Sequence, residues 1–182
     1  MSKSEHTRSA LLQSATRQFG EFGYSNASLR QIAGQAGVDV ALISRYFGSK
    51  LGLFDASLKE CLNWPELLDP ANDPIETAIE KFTDPTSEDH KFSTTRMIIL
   101  NADDPIVGER VRAALFDKLI DPLEARMGGT HVKERLAMFI AVIVGASITR
   151  YSLQVPGMAN ADAKMHSRQL RHLIDAALSF KY

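Results

Sequence analysis

The chain has little of what most enzymes and secreted proteins are built on. Its single cysteine, Cys61, excludes an intramolecular disulfide and any multi-cysteine zinc site, and it fits a reducing compartment such as the cytoplasm. The five histidines stand at positions 6, 90, 131, 166 and 172. None makes the pair four residues apart that puts two imidazoles on one helix face for a metal. A glycine-rich phosphate loop is missing. No apolar run approaches the roughly 20 residues needed to span a bilayer. The longest candidate, Met138 to Ile148, is too short and contains glycine and serine. The first nine residues are polar, which argues against a signal peptide. These shortages leave no catalytic residue, metal ligand or cofactor to name, and they point to a cytoplasmic chain without a membrane segment.

What is present is a helical pattern. The 182 residues are 45% hydrophobic, ample for a core in one compact domain or in a small head fused to a larger body. Net charge is −1, but residues 1 to 60 carry seven Lys/Arg against five Asp/Glu, a net of +2, and the remainder 14 against 17, a net of −3. Apolar spacing gives a first helix from about Glu5 to Phe22, with Leu11, Leu12, Ala15, Phe19 and Phe22 as its buried stripe. Ser49 caps a later helix in which Leu51, Phe54, Leu58 and Leu62 share a face, and Trp64-Pro65 ends it. Five of the seven prolines follow aspartate, at 69, 73, 84, 104 and 121, a pairing that opens helices. Helices are expected over Pro74–Thr83, His90–Ala102 and Pro105–Met127, the last divided near Pro122, and then over His131–Leu153 and Asn160–Phe180. The stretch from Thr83 to Asp89 is a loop and the best candidate for local disorder. Nothing reads as strand.

Between the first helix and Ser49 lies the segment with the strongest signal. Ser28 can cap a helix carrying Leu29, Ile32, Ala33 and Ala36, and Gly37 directly after it can take the left-handed conformation that closes a helix. Asp39 then caps a second short helix. Val38, Ile43 and Phe47 can face the first as core, leaving Val40, Ala41, Ser44 and Arg45 on another side. That side is small and slender around one arginine, which suits a major groove about 12 Å wide and which a purely structural helix does not need. The arrangement is a helix-turn-helix.

Over about the first 60 residues the chain resembles the tetracycline-repressor (TetR) family of bacterial transcriptional regulators. The resemblance rests on Leu11, Leu12, Ala15, Phe19, Gly23-Tyr24, Ser28, Ile32-Ala33, Ala36-Gly37-Val38, Ile43, Tyr46-Phe47 and Ser49-Lys50. Asp39 stands where serine is frequent in that family, Ser44 where tyrosine is frequent, and Gly52 where a glutamate often follows the lysine. The resemblance implies that Ser28, Arg30, Tyr46 and Lys50 dock on phosphates while Val40, Ala41, Ser44 and Arg45 face the groove. It also implies a homodimer on a double-stranded palindromic operator, most often as a repressor, with a small-molecule effector sensed in the body.

The helix from His131 is apolar around much of its circumference, through Leu136, Met138, Phe139, Ile140, Val142, Ile143, Val144, Ile148 and Tyr151. It therefore needs cover on more than one side. Ala141, Gly145 and Thr149, four apart, let another helix approach closely. Leu170, Leu173 and Ala177 make a stripe on the last helix, so these six residues are the expected dimer interface. Phe92, Met97, Phe116, Met138, Phe139 and Val142 are soft apolar residues on helices expected to converge. Each reads as ordinary core by itself, and the family resemblance makes the set a candidate effector pocket.

The expected architecture is all-α: a three-helix head with a helix-turn-helix joined to a C-terminal helical bundle, about nine helices in all. The division is residues 1–50 for DNA binding and 51–182 for sensing and dimerisation. Two other readings fit the composition. A helical binding or scaffold protein without DNA reading is disfavoured by Arg45, Tyr46 and Lys50, and a small helical enzyme by the lack of a catalytic constellation.

Overall fold

The structure, a computed structural model, describes residues 2–83 and 94–180. The expected loop at 84–89, the start of the helix expected from His90, and Phe92 lie outside them. The described residues are helical, with no strand among them. The segments are α1 (Lys3–Asn26), α2 (Leu29–Gln35), α3 (Ala41–Phe47), α4 (Lys50–Cys61), α5 (Pro65–Leu68), α6 (Pro74–Thr83), α7 (Thr94–Asn101), α8 (Gly108–Leu115), α9 (Asp121–Met127), α10 (Val132–Ser147), α11 (Pro156–Ala159) and α12 (Ala163–Ser179). Two wider π-helical turns, Phe116–Ile120 and Ile148–Ser152, precede α9 and follow α10.

The helices form two compact units, residues 1–63 with 92–115, and residues 64–91 with 116–182. The division expected at residue 50 is drawn by expected task. Packing divides the chain differently, because α4, α7 and α8 share a core with the first three helices.

In the first unit α1 opens with a reciprocal cap: the Ser2 hydroxyl accepts from Glu5 N–H, and the Glu5 carboxylate accepts from Ser2 N–H. Leu11, Ala15 and Phe19 line its buried face. The stripe does not continue to Phe22, which is 46% exposed. At Gly23 the backbone leaves helical geometry (φ 76°, ψ 163°), a conformation open to glycine, so Tyr24 rather than Phe22 takes the interior place. Tyr24, Phe19 and Phe54 of α4 pack with ring centroids 5.1 to 5.9 Å apart. Leu53 and Leu58 of α4, Leu62 just after it, Met97 of α7 and Val111 of α8 complete this core. Burial of each such side chain contributes about 1.5 to 3 kcal/mol.

In the second unit α10 lies against α12, and α12 against α6, where Arg171 pairs with Glu76. Its buried residues include Leu67, Ile79, Leu123, Leu136, Phe139, Ile143, Leu170 and Ile174. Asp73 opens α6 by accepting from the N–H groups of Ile75 and Glu76 (2.8 and 3.0 Å), and Asp162 opens α12 through Met165 N–H at 2.9 Å. At Asp121-Pro122 the aspartate makes no such cap. Pro122 has no N–H to continue the ladder, and the helix arriving at it widens over Phe116–Ile120 before α9 begins. The Arg150 guanidinium holds the connection after α10 by donating to the carbonyls of Met158 (2.6 Å) and Ala161 (2.9 Å).

Candidate nucleic-acid interface

The turn between α2 and α3 is closed by Val38 N–H donating to the Ala33 carbonyl at 3.0 Å, with Gly37 at φ 67°. Asp39 caps α3 as expected, its carboxylate accepting from Ala41 N–H at 2.7 Å. Ile43 is 1% exposed, and Val38 and Phe47 pack half-buried on the same core. Val40, Ala41, Ser44 and Arg45 are all exposed, so α3 presents the slender face read from its spacing. The cap expected at Ser28 is not made. The residue has the extended backbone of a cap and its carbonyl accepts from Ile32 N–H at 3.0 Å, but its hydroxyl caps nothing. Backbone geometry alone starts α2 there.

The start of α1 braces α3. The hydroxyls of Ser4 and Tyr46 share a hydrogen bond of 3.1 Å, and the Arg8 guanidinium lies over the Phe47 ring at 5.0 Å. The Arg45 guanidinium lies 6.0 Å from the centre of the Tyr46 ring. Arg30 is exposed on α2. Gly48 turns the chain at φ 78°, and Ser49 caps α4 through Gly52 N–H at 3.0 Å. Lys50 is half-buried with its ammonium 4.7 Å from the centre of the Tyr24 ring. Burial pulls the Lys50 pKa below its ordinary value, and the Asp104 carboxylate pulls the other way. All eight sequence-derived DNA-binding residues fall in the first unit.

The residues expected in the body are placed less uniformly. Met97 is fully enclosed in the first unit's core, whereas Phe116, Met138, Phe139 and Val142 belong to the second unit, so the five described pocket candidates do not share a unit. Phe116 and Met138 are exposed, Phe139 is buried and Val142 is half-buried. Periodicity identified them as apolar helix residues but carried no information on which core each would join. Among the interface candidates, Ala141, Gly145 and Leu173 are exposed, and Thr149 and Ala177 half-buried, the Thr149 hydroxyl donating to the Gly145 carbonyl at 2.7 Å. Leu170 is placed unlike the others. With His166 and Ile174, spaced four apart, it forms the row that α12 turns into its own unit, at 2% exposure, which leaves Leu173 on the open side.

Two residues near the interface carried no binding signal in the sequence. Asn101 at the end of α7 is fully buried against the end of α1, and the Asp104 carboxylate accepts from the Ser25 N–H and the Ser25 hydroxyl (3.2 and 2.6 Å). Asp104 was legible as a helix opener, and it does accept from the N–H groups of Ile106 and Val107 (2.9 and 3.1 Å). Its tie to Ser25 was not. Among the described residues no helix is long and apolar enough to cross a membrane.

Residues 11–57 match the sequence model for bacterial regulatory proteins of the tetR family, and residues 76–178, more than half of the chain, match the tetracyclin repressor-like C-terminal domain. The chain is 45% identical over 62 residues to the HTH-type transcriptional dual regulator CecR of Shigella flexneri, and 34% identical over 55 residues to the HTH-type transcriptional regulator BetI 1 of Chromohalobacter salexigens. Those stretches are 34% and 30% of this chain and 26% and 27% of the two relatives, so the chain spans about a quarter of the length of the curated relatives it matches. In fold it is similar to NalD of Pseudomonas aeruginosa, the secondary repressor of the MexAB-OprM multidrug efflux pump (TM-score 0.71, 24% identity, 99% of this chain and 100% of that one). It is also similar to the fatty acid degradation regulator FadR of Bacillus halodurans (TM-score 0.68, 13% identity, 96% and 99%). At these identities the two structures speak for the fold alone. With both family models matched in order along it, the chain belongs to the TetR family of bacterial regulatory proteins.

Proposed function

We propose that this chain is a DNA-binding transcription regulator, a repressor that sits as a homodimer on a palindromic operator and is released by a small apolar effector. The observation that carries the reading is the exposed face of α3, Val40, Ala41, Ser44 and Arg45, on a helix anchored from behind by Ile43. Arg45 takes guanine O6 and N7 with its guanidinium fork, and Val40 and Ala41 pack on thymine methyls. Ser28, Arg30, Tyr46 and Lys50 hold phosphates and fix the docking register without carrying sequence information. The regulator names of CecR and BetI 1, matched over 62 and 55 residues of this chain, support the same role. Two major grooves on one DNA face are about 34 to 36 Å apart, so one head separation fits both half-sites. An effector releases the operator only by binding the other separation more tightly. Apolar side chains of the second unit, Phe139 and Val142 among them, supply its pocket. No catalytic step is assigned, and a regulator of this kind works in the cytoplasm.

The test is selection of bound sequences from random duplex DNA, followed by titration. Arg45→Ala should relax specificity at one symmetric position at about 1 to 3 kcal/mol per lost base contact, while Lys50→Ala weakens all duplexes alike. Equal losses on selected and random DNA for both variants would remove Arg45 from base readout. Failure to enrich any sequence would sink the regulator reading itself.

A further inference from the structure

The break in α1 at Gly23 takes Tyr24 N–H away from its helical partner, the Gly20 carbonyl. A side chain of α7 takes that place and also reaches the turn before the break. The Asn101 amide oxygen accepts from Tyr24 N–H at 2.6 Å, and its amide nitrogen donates to the Phe19 carbonyl at 3.1 Å and to the Met97 carbonyl at 2.7 Å. Asn101 is fully buried and can do this because α7 comes close: a Cβ added at Gly23 would lie 3.5 Å from the Leu100 carbonyl oxygen. A primary amide carries the donor and acceptor of a peptide group, so one side chain ties the two sides of the break together. Three residues further on, Asp104 holds Ser25, the residue after Tyr24, by its N–H and its hydroxyl.

The tied end determines where Tyr24 points, and the Tyr24 ring, wedged against Phe19 and Phe54, is what the Lys50 ammonium rests on. We propose that Asn101 and Asp104 are positioning residues for DNA binding: by fixing the last turn of α1 they hold Tyr24 as the platform that presents Lys50 to an operator phosphate. The inference rests on the reading of the head as a DNA binder with Lys50 on a phosphate. A lysine on four rotatable bonds otherwise loses that freedom when it meets a phosphate, and a preformed platform reduces the loss. The residues concerned lie in one compact unit, yet neither positioning residue is on the DNA-facing helices.

The experiment uses the full chain and the selected palindromic duplex, titrated by fluorescence anisotropy at several salt concentrations. The variants are Asn101→Ala, Ser25→Ala, Lys50→Ala and the two doubles with Lys50→Ala. Ser25 is exposed, so its variant decides the matter if the buried Asn101→Ala fails to fold. The expected result is that Asn101→Ala and Ser25→Ala weaken selected and random duplexes by the same factor. The slope of log affinity against log salt becomes shallower by up to about 0.9 per lost phosphate contact. Neither variant should add its full loss to that of Lys50→Ala, because the side chain it positions is already gone. Fully additive losses with an unchanged salt slope overturn the positioning role while leaving the DNA reading intact. A parent chain that selects no duplex overturns both.

Discussion

At position 52 two residue-scale effects oppose each other. Glycine inside a helix is normally about 1 kcal/mol worse than alanine, so Gly52→Ala in α4 should stabilise on propensity alone. A Cβ there, however, would collide with the carbonyl oxygen of Phe47 and come within 3.3 Å of its carbonyl carbon, and backbone cannot swing aside as a side chain can. Overpacking of this kind costs about 1 to 3 kcal/mol, enough to outweigh the propensity gain. Gly52→Ala is therefore expected to lower the melting temperature and, by pushing the end of α3, to weaken operator binding although no DNA-facing residue changes. Circular dichroism and a DNA titration check this, and a variant as stable and as tightly bound as the parent would show that the Phe47 carbonyl yields freely. Residues whose partner lies within three positions were legible in the sequence, as Asp39, Ser49 and Asp73 show by capping as expected. Ser28 fails because a cap needs a side-chain rotamer as well as a residue type.

Among the elements, α10 and α12 carry the case for a dimer. A Cβ built on Gly145 meets nothing within 4 Å in the protomer, and Ala141 beside it is exposed, so α10 offers a smooth strip with room for a second helix. Gly145→Glu fits the isolated protomer and improves helix propensity, so folding should be retained or raised slightly. In a four-helix dimer it would bury a charge in a tight apolar contact, and the expected outcome is a folded monomer by light scattering. Operator affinity should then collapse, since one head makes half of the contacts. A dimer of unchanged stability would take Gly145 out of the interface. On α12 the sequence offered Leu170 and Leu173 together, but residues three apart point about 60° from each other, and packing against α10 and α6 claimed one of them. Pro122 announced a break in its helix, while the widened turn before it depended on how the chain accommodates the missing N–H.

For the whole molecule the balance of charge sets a measurable expectation. The chain is nearly neutral at −1, so attraction to DNA has to come from a local face rather than an overall field. Arg30 and Lys50 alone give a dimer roughly four phosphate contacts, and Lys3 with Arg8 at the start of α1 would raise that to roughly eight, so log affinity should fall with log salt at a slope between about −4 and −7. A slope near zero in an anisotropy titration would refute phosphate docking by these residues. The sequence by itself determined the all-α class, the order of the head helices, the Asp39 cap and the exposed face of α3. Each of those depends on spacings of three or four residues along one helix, which the chain carries locally. The tertiary structure decided that Met97 joins the first core, that Leu170 turns inward, and that Asn101 ties a helix break 77 residues before it in the chain. Those outcomes depend on which helices meet, and a helix repeats its own faces without encoding which neighbour will cover them.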